Sequence, residues 1–111
     1  MLIVSTTTSD IKEAETLAEK IVRAKLAACV QILPQIKSFY FWEGEIQKDS
    51  ENLLLIKTLP EKFAELEKFI KENHSYDVPE IVALSAEKVS QNYLDWTRNY
   101  VITDNLSLIH I

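Results

Sequence analysis

The chain has 111 residues, of which 47% are hydrophobic and 26% are charged, which is the size and composition of one ordinary globular domain. Its net charge of -5 argues against nucleic-acid binding, because neutralising phosphates requires a basic face. The single glycine excludes glycine-rich phosphate loops, and no stretch approaches the roughly 20 apolar residues that span a bilayer. We therefore expect no nucleic-acid or membrane partner and, with one cysteine and no leader pattern, a cytoplasmic location.

The first predicted elements are a strand and a helix. Residues 2–7 read LIVSTT, an apolar and β-branched run that predicts a buried strand. Asp10 is a candidate N-cap with Glu13 three residues later, which is the pattern of a capping box. Apolar residues then recur at helical spacing as far as Val22. This predicts an amphipathic helix that ends near residues 26–28.

The pattern changes to β from Cys29 to Thr58. Two long apolar and β-branched runs are separated by a turn around Glu43 and Gly44, which predicts an antiparallel hairpin. Pro34 interrupts the first run. Because proline lacks the N–H that a strand ladder needs, we expect a bulge or bend there.

A second helix, a fourth strand and a third helix follow. Thr58 and Glu61 predict a capping box around Pro60 at the start of the second helix. Residues 80–86 predict the fourth strand, and Ser90 is a candidate N-cap of the third helix.

The element order is β-α-β-β-α-β-α, and its first six elements match the ferredoxin-like split βαβ unit of the α+β class. Right-handed crossovers place both main helices on one face of a four-stranded antiparallel sheet. We expect residues 1–102 to form a single domain with an extra C-terminal helix. Residues 103–111 form a tail whose alternating Leu106, Leu108 and His110 leave three alternatives open: an added edge strand, a disordered end or a cloning remnant.

Four aromatic rings stand side by side in the first strand of the predicted hairpin: Phe39, Tyr40, Phe41 and Trp42. Neighbouring side chains of a strand point to opposite faces, so two rings face away from the helices. Leaving two such rings in water forgoes about 6 kcal/mol of burial, which is comparable with the whole stability of a small domain. This favours self-association through these rings, and cover by the third helix or the tail is the alternative.

Four segments carry a resemblance to a known family. They are KLAACVQILPQIKSFYFWEGEI at 25–46, LLLIKT at 53–58, HSYDVPEI at 74–81 and YLDW at 93–96. Together they resemble the CutA family of divalent-cation tolerance proteins, in register over about residues 2–100. The resemblance implies a ferredoxin-like homotrimer whose hairpin reaches across to neighbouring subunits, and an architecture similar to the trimeric PII signalling proteins. It also implies weak binding of copper or another divalent cation.

The candidate metal ligands are Cys29, His74, Asp77 and Glu80, because thiolate and imidazole are the ligands that copper prefers, with carboxylates in support. No pair has the close spacing of a preformed site, so a metal site would need ligands from two subunits. The alternatives are that Cys29 is a small buried hydrophobe and that His74 bonds carbonyls at a helix end.

A small-molecule cleft is the second hypothesis, lined by Lys57, Tyr76, Glu80 and Trp42. Lys57 follows an apolar run, and a buried lysine needs an acidic partner, for which Glu80 is the candidate. Such a cleft would bind an anionic effector between subunits, as in PII-like proteins. The alternative is a purely structural ion pair.

Enzyme catalysis is the third possibility. A nucleophilic pair of Cys29 and His74, oriented by Asp77, would need a reactive thiolate, which the apolar neighbours of Cys29 disfavour. We therefore predict a binding protein in divalent metal tolerance rather than an enzyme, with a PII-like signalling trimer as the alternative.

Overall fold

Four strands and three α-helices follow one another in the predicted order. The computed structural model describes residues 1–102, so the predictions for the tail, including Leu106, Leu108 and His110, lie outside the described residues. The elements are β1 (Leu2–Thr8), α1 (Ile11–Arg23), β2 (Cys29–Trp42), β3 (Glu45–Thr58), α2 (Phe63–Glu72), β4 (Val82–Ser85) and α3 (Gln91–Ile102), with a short 3-10 turn before α2. The predicted α+β class and ferredoxin-like order are confirmed.

The strands form one antiparallel sheet in the order β2-β3-β1-β4. β1 is central because its apolar and β-branched side chains suit burial on both faces. β2 and β3 are much longer than β1 and β4, so the end of the β2–β3 hairpin extends beyond the rest of the sheet. The described chain is correspondingly elongated, 56 Å in its longest dimension.

The core lies between one face of the sheet and helices α1 and α2. Along β3, Leu54, Ile56 and Thr58 are fully buried, whereas the alternate residues are only half-buried. This alternation separates a helix-covered face from an open face. The core side chains of the covered face and the two helices are Val4, Leu17, Ile21, Leu54, Ile56, Leu66 and Ile70, all of them nearly or fully buried.

Helix α1 has well-defined ends. The carboxylate of Asp10 accepts the N–H of Lys12 at 3.0 Å, which confirms the predicted N-cap. The helix ends at Arg23, earlier than predicted, because Lys25 takes a positive φ of 59°. The N–H of Leu26 then reaches the carbonyl of Ile21, a bond of the Schellman motif that terminates many helices.

The predicted irregularity at Pro34 is confirmed as a β-bulge. The register of β2 on β3 shifts between Leu33 and Ile36, so that Pro34 and Gln35 together oppose Asn52. The Asn52 side chain accepts the N–H of Gln35 at 3.3 Å and donates to the carbonyl of Thr8 at 3.3 Å. The irregular backbone is thereby bonded to the adjacent strand pair.

The capping box predicted for α2 is wrong. The Thr58 hydroxyl donates to the carbonyl of Leu26 at 2.7 Å, so it connects the end of β3 to the segment before β2. The 3-10 turn before α2 starts instead with Pro60 and has no side-chain cap. β4 is also shorter than the predicted 80–86 strand.

Helix α3 does not cover the aromatic rings of the hairpin. It packs through Val101 and Leu94 against Ala28 and Leu59, at the other end of β2. In the described chain Phe39, Tyr40, Phe41 and Trp42 remain 65%, 42%, 68% and 55% exposed. No helix among residues 1–102 is long and apolar enough to cross a membrane.

Candidate functional site

A cleft of about 580 Å³ lies between the β2–β3 hairpin and the loop that follows α2. β2 contributes three of the residues that the sequence made conspicuous, and the loop 76–80 forms the opposite wall. The lining residues are Thr7, Ser38, Phe39, Tyr40, Trp42, Glu51, Tyr76, Asp77, Val78 and Glu80. Of the predicted cleft residues, the structure therefore brings Trp42, Tyr76 and Glu80 together.

Two tyrosine hydroxyls of the cleft donate hydrogen bonds to carboxylates. The Tyr76 hydroxyl donates to Glu51 Oε2 at 2.8 Å, and burial together with this contact raises the pKa of Tyr76 to about 12. The Tyr40 hydroxyl donates to Asp49, and this hydrogen bond raises the pKa of Tyr40 above its ordinary value. Both hydroxyls therefore remain protonated near neutral pH and add no charge to the cleft.

The charge of the cleft comes from carboxylates. Glu51, Asp77 and Glu80 line it, and no lysine, arginine or histidine among residues 1–102 belongs to its lining. The Ser5 hydroxyl donates to Glu80 Oε2 at 2.8 Å and so orients one of the three. A concave surface with three carboxylates and low-dielectric aromatic walls concentrates a negative potential, which attracts cations.

His74 holds the cleft loop against the sheet. Its side chain is fully buried, with Nε2 2.7 Å from the carbonyl oxygen of Thr7 and Nδ1 3.0 Å from the backbone N of Tyr76. Since Nδ1 accepts the N–H of Tyr76, the proton of the neutral ring is on Nε2, which donates to Thr7. Both ring nitrogens are engaged, so within one protomer His74 offers no lone pair to a metal. The predicted bond to helix-end carbonyls is likewise replaced by one to β1.

The same loop is anchored to α1. Both the backbone N–H and the hydroxyl of Ser75 donate to the Glu13 carboxylate, each at 2.9 Å. Glu13 thus acts as a tertiary anchor, in place of the second bond of the predicted capping box.

Cys29 lies far from the cleft. It is half-buried opposite Lys57, whose other neighbour across the sheet is Ile3, whereas His74 contacts Thr7. Four residues of β1 span about 13 Å, so Cys29 and His74 do not meet within a protomer. Tyr93 lies near Cys29, and the pKa of Tyr93 is raised by burial and then by Cys29. Among residues 1–102 no group of three or more His, Cys, Asp or Glu side chains is placed to hold a metal ion in one protomer.

The predicted ion pair between Lys57 and Glu80 does not form. Lys57 Nζ lies 5.8 Å from the centre of the Tyr93 ring on α3, and the Glu80 carboxylate is bonded to Ser5. The lysine therefore finds a cation–π partner at the opposite end of β1 and does not line the cleft.

Sequence reasoning missed Glu51 and Asp49, the two acceptors for the tyrosines. Strand alternation places Glu51 on the same face as Leu53, and this signal was available once the register of β3 was known. Its contact with Tyr76 joins residues 25 positions apart on separate elements, which no local pattern reveals.

Comparison with known proteins decides the family. Residues 2–100 match the family described as CutA1 divalent ion tolerance protein. The chain belongs to the CutA1 family.

Several relatives of the CutA1 family are similar along most of the chain. The divalent-cation tolerance protein CutA of Thermus thermophilus is 47% identical over 85 residues, which are 77% of this chain and 82% of the relative. The protein of the same name from Archaeoglobus fulgidus is 44% identical over 90 residues, 81% of this chain and 87% of the relative. The chloroplastic protein CutA of Arabidopsis thaliana is 45% identical over 98 residues, 88% of this chain. This chain spans about half the length of that plant relative (54%).

Solved CutA1 structures have the same fold. CutA1 from Oryza sativa superimposes with a TM-score of 0.89 at 41% identity, covering 93% of this chain and 94% of that one. The Thermus thermophilus protein gives a TM-score of 0.87 at 42% identity, covering 90% of this chain and 98% of that one. The resemblance predicted from the sequence is confirmed.

Proposed function

We propose that this CutA1-family chain is a homotrimer that binds divalent cations in metal tolerance and catalyses no reaction. The observation that carries the proposal is the charge of the cleft, in which Glu51, Asp77 and Glu80 line one concavity to which the described part of the chain contributes no basic side chain. Relatives of this chain bear the name divalent-cation tolerance protein, which agrees with a cationic ligand.

The donor atoms of the cleft suggest which cations bind. Carboxylate and hydroxyl oxygens suit hard divalent ions such as Mn²⁺ or Mg²⁺. Copper prefers imidazole or thiolate, but both ring nitrogens of His74 are hydrogen-bonded within the protomer and Cys29 does not line the cleft. We therefore propose weak binding of hard divalent cations at Asp77 and Glu80, with ligands from a neighbouring subunit completing the coordination, since no three such side chains among residues 1–102 of one protomer are placed to hold an ion.

Assembly into a trimer is supported by exposed apolar side chains on the face of the hairpin that carries Phe41 and Ile46. Phe41 lies directly opposite Ile46, and the two side chains are 68% and 71% exposed. Burying each in an interface contributes about 1.5–3 kcal/mol. Of the four predicted interface rings, Phe39 and Phe41 share the strand face of Ile46, and Phe39 also borders the cleft, whereas Tyr40 and Trp42 share a face with Glu51 and line the cleft.

Light scattering tests the assembly. The expected mass is three times the protomer mass of 12.8 kDa, and Phe41→Glu should lower it, because the new charge would be buried between subunits. Lys20→Glu, at an exposed position on α1 away from the hairpin, is the control and should leave the mass unchanged. A wild-type mass equal to that of one protomer would overturn the trimer.

Calorimetry with Mn²⁺, Mg²⁺ and Cu²⁺ tests the cation proposal. Glu80→Gln and Asp77→Asn should each weaken binding, since each removes one negative charge at nearly constant shape. Glu87→Gln, an exposed carboxylate outside the cleft lining, is the control. Binding that is indifferent to the cleft variants, or absent for every ion, would refute the proposal.

The PII-like alternative requires an anionic effector, and the charge of the cleft opposes it. Lys57, the basic group that this alternative relied on, does not line the cleft. A nucleotide or carboxylate that raised the melting temperature of the protein would revive this alternative.

Two further parts of the proposal rest on Cys29. We place the protein in the cytoplasm, because a single cysteine cannot form an internal disulfide and suits a reducing compartment. We assign no catalytic role, since Cys29 and His74 are at opposite ends of β1. Rapid reaction of Cys29 with thiol reagents in the folded protein would reopen the question of catalysis.

A further inference from the structure

Aromatic side chains line the cleft together with the carboxylates. Trp42, Tyr40 and Tyr76 line the same concavity as Glu51, Asp77 and Glu80. A hydrated divalent ion needs oxygen ligands and makes no use of ring faces. We propose that the cleft also binds an organic ammonium cation, of the tertiary or quaternary alkylammonium class, between its rings and its carboxylates.

The ring faces provide the first part of the argument. The face of an aromatic ring carries partial negative charge, and indole attracts cations most strongly. Trp42 is 55% exposed in the protomer, and its ring forms part of the cleft lining. Alkylammonium groups match such surfaces because their methyl groups are apolar while their charge is spread over them.

Two of the rings are fixed before any ligand arrives. Tyr40 is held by its hydrogen bond to Asp49, and Tyr76 by its bond to Glu51. Tyr76 also packs on the buried His74 ring, with the ring centres 4.8 Å apart. Preorganised walls reduce the entropy that is lost when a ligand is ordered.

Charge and size complete the argument. The three carboxylates attract a cation, and no lysine or arginine among residues 1–102 belongs to the lining. Lys48 Nζ lies 5.6 Å from the centre of the Phe39 ring, but among residues 1–102 no lysine or arginine stacks on Trp42, Tyr40 or Tyr76. The volume of about 580 Å³ is within the range of small-molecule sites and exceeds that of a bare metal ion. This inference goes beyond divalent-cation binding, because it depends on the aromatic wall and predicts a different ligand.

The test uses the intact protein in its native assembly, with tetramethylammonium chloride as the probe and sodium chloride to keep the ionic strength constant. The indole N–H signals of Trp42 and Trp96 are assigned by Trp96→Phe in a nitrogen-15 correlation spectrum. We expect a saturable shift of the Trp42 signal alone. tert-Butanol, which has a similar shape and no charge, should cause none. Equal shifts with both probes, or no saturable shift, would overturn the inference.

Calorimetry on matched variants separates this inference from the proposed metal function. Trp42→Ala should weaken tetramethylammonium binding about fivefold to thirtyfold, whereas Trp96→Ala, an exposed indole outside the cleft, should not. Circular dichroism and light scattering show whether Trp42→Ala is folded and assembled, and divalent-cation binding is measured on the same sample. Glu80→Gln should weaken both ligands. Unchanged ammonium affinity in Trp42→Ala would refute the aromatic site without affecting the metal proposal.

If Trp42→Ala fails to fold, Trp42→Leu in the same experiment replaces it, since leucine keeps the apolar bulk and removes the ring face. Loss of ammonium affinity in Trp42→Leu supports the inference. Retained affinity overturns it.

Discussion

The imidazole Nε2 of His74 lies 2.7 Å from the carbonyl oxygen of Thr7, although the two residues are 67 positions apart. Through its other nitrogen the same ring accepts the backbone N–H of Tyr76. His74 thereby connects the cleft loop to the central strand of the sheet. Four consequences of the structure can be measured.

Removing this connection should destabilise the protein. His74→Ala leaves the buried Thr7 carbonyl and the Tyr76 N–H without their partner, and we expect a loss of about 2–3 kcal/mol in the free energy of unfolding. Urea denaturation measures it. Lys71→Ala, which removes an exposed ion pair with Glu67, is the control and should change stability by about 0.5 kcal/mol or less. If His74→Ala left stability unchanged but abolished metal binding, His74 would be a ligand and not a structural tie.

Tyr76 should contribute to the alkaline limit of stability. Its folded pKa of about 12 is above the ordinary value of 10.0, so the folded state holds the phenol proton more tightly. The resulting stabilisation is fully present below pH 10 and is lost as the pH rises through about 12. Thermal melts of wild type and Tyr76→Phe from pH 8 to 12 should therefore converge at the alkaline end. A difference that stays constant across this range would contradict the assignment.

The cap of α1 provides a local test. Asp10→Ala removes the acceptor for the Lys12 N–H and should cost about 1 kcal/mol of stability. Asp10→Asn keeps an acceptor oxygen and should cost only a fraction of that. Chemical denaturation of the three proteins gives the comparison, and equal losses in both variants would show that the charge rather than the hydrogen bond matters.

The hairpin turn can be improved. Glu43 and Gly44 both have positive φ, of 51° and 82°, as a type I′ turn requires. Asparagine tolerates this conformation better than glutamate, so Glu43→Asn should stabilise the protein by about 0.5 kcal/mol, measured as a rise in melting temperature. Glu45→Asn, the same exchange at the first residue of β3, should give no rise. An unchanged or lower melting temperature for Glu43→Asn would show that the positive φ of Glu43 does not reduce the stability of the protein.

The sequence predicted those parts of the fold that depend on local chemistry. Asp10 caps α1 because a short acceptor precedes an amphipathic run, and Pro34 marks the bulge because it lacks an N–H. Thr58 had two possible partners of similar chemistry, a helix start nearby and the Leu26 carbonyl 32 positions away. The Thr58 hydroxyl bonds the distant Leu26 carbonyl, because Thr58 is buried at the end of β3 next to that carbonyl.

The site was less predictable than the fold. Trp42, Tyr76 and Glu80 were expected in one cleft and do line it together. Lys57 was expected to join them, but its long side chain reaches the Tyr93 ring instead. A long side chain such as that of Lys57 can reach several partners. Its contact with Tyr93 depends on how α3 packs, and the sequence pattern of β3 does not predict that packing.

The bulge at Pro34 and Gln35 changes which residues of β2 point to each face of the sheet. Ahead of it, odd-numbered residues such as Leu33 share the open face with Leu53, and beyond it the even-numbered Tyr40 and Trp42 share the face that carries Glu51. Without the bulge, strict alternation from Leu33 would have put Phe39 and Phe41 on the face that carries Glu51. One additional residue in one strand thus places a phenol and an indole on the face of Glu51, and puts Phe41 on the other face of the hairpin, outside the cleft lining.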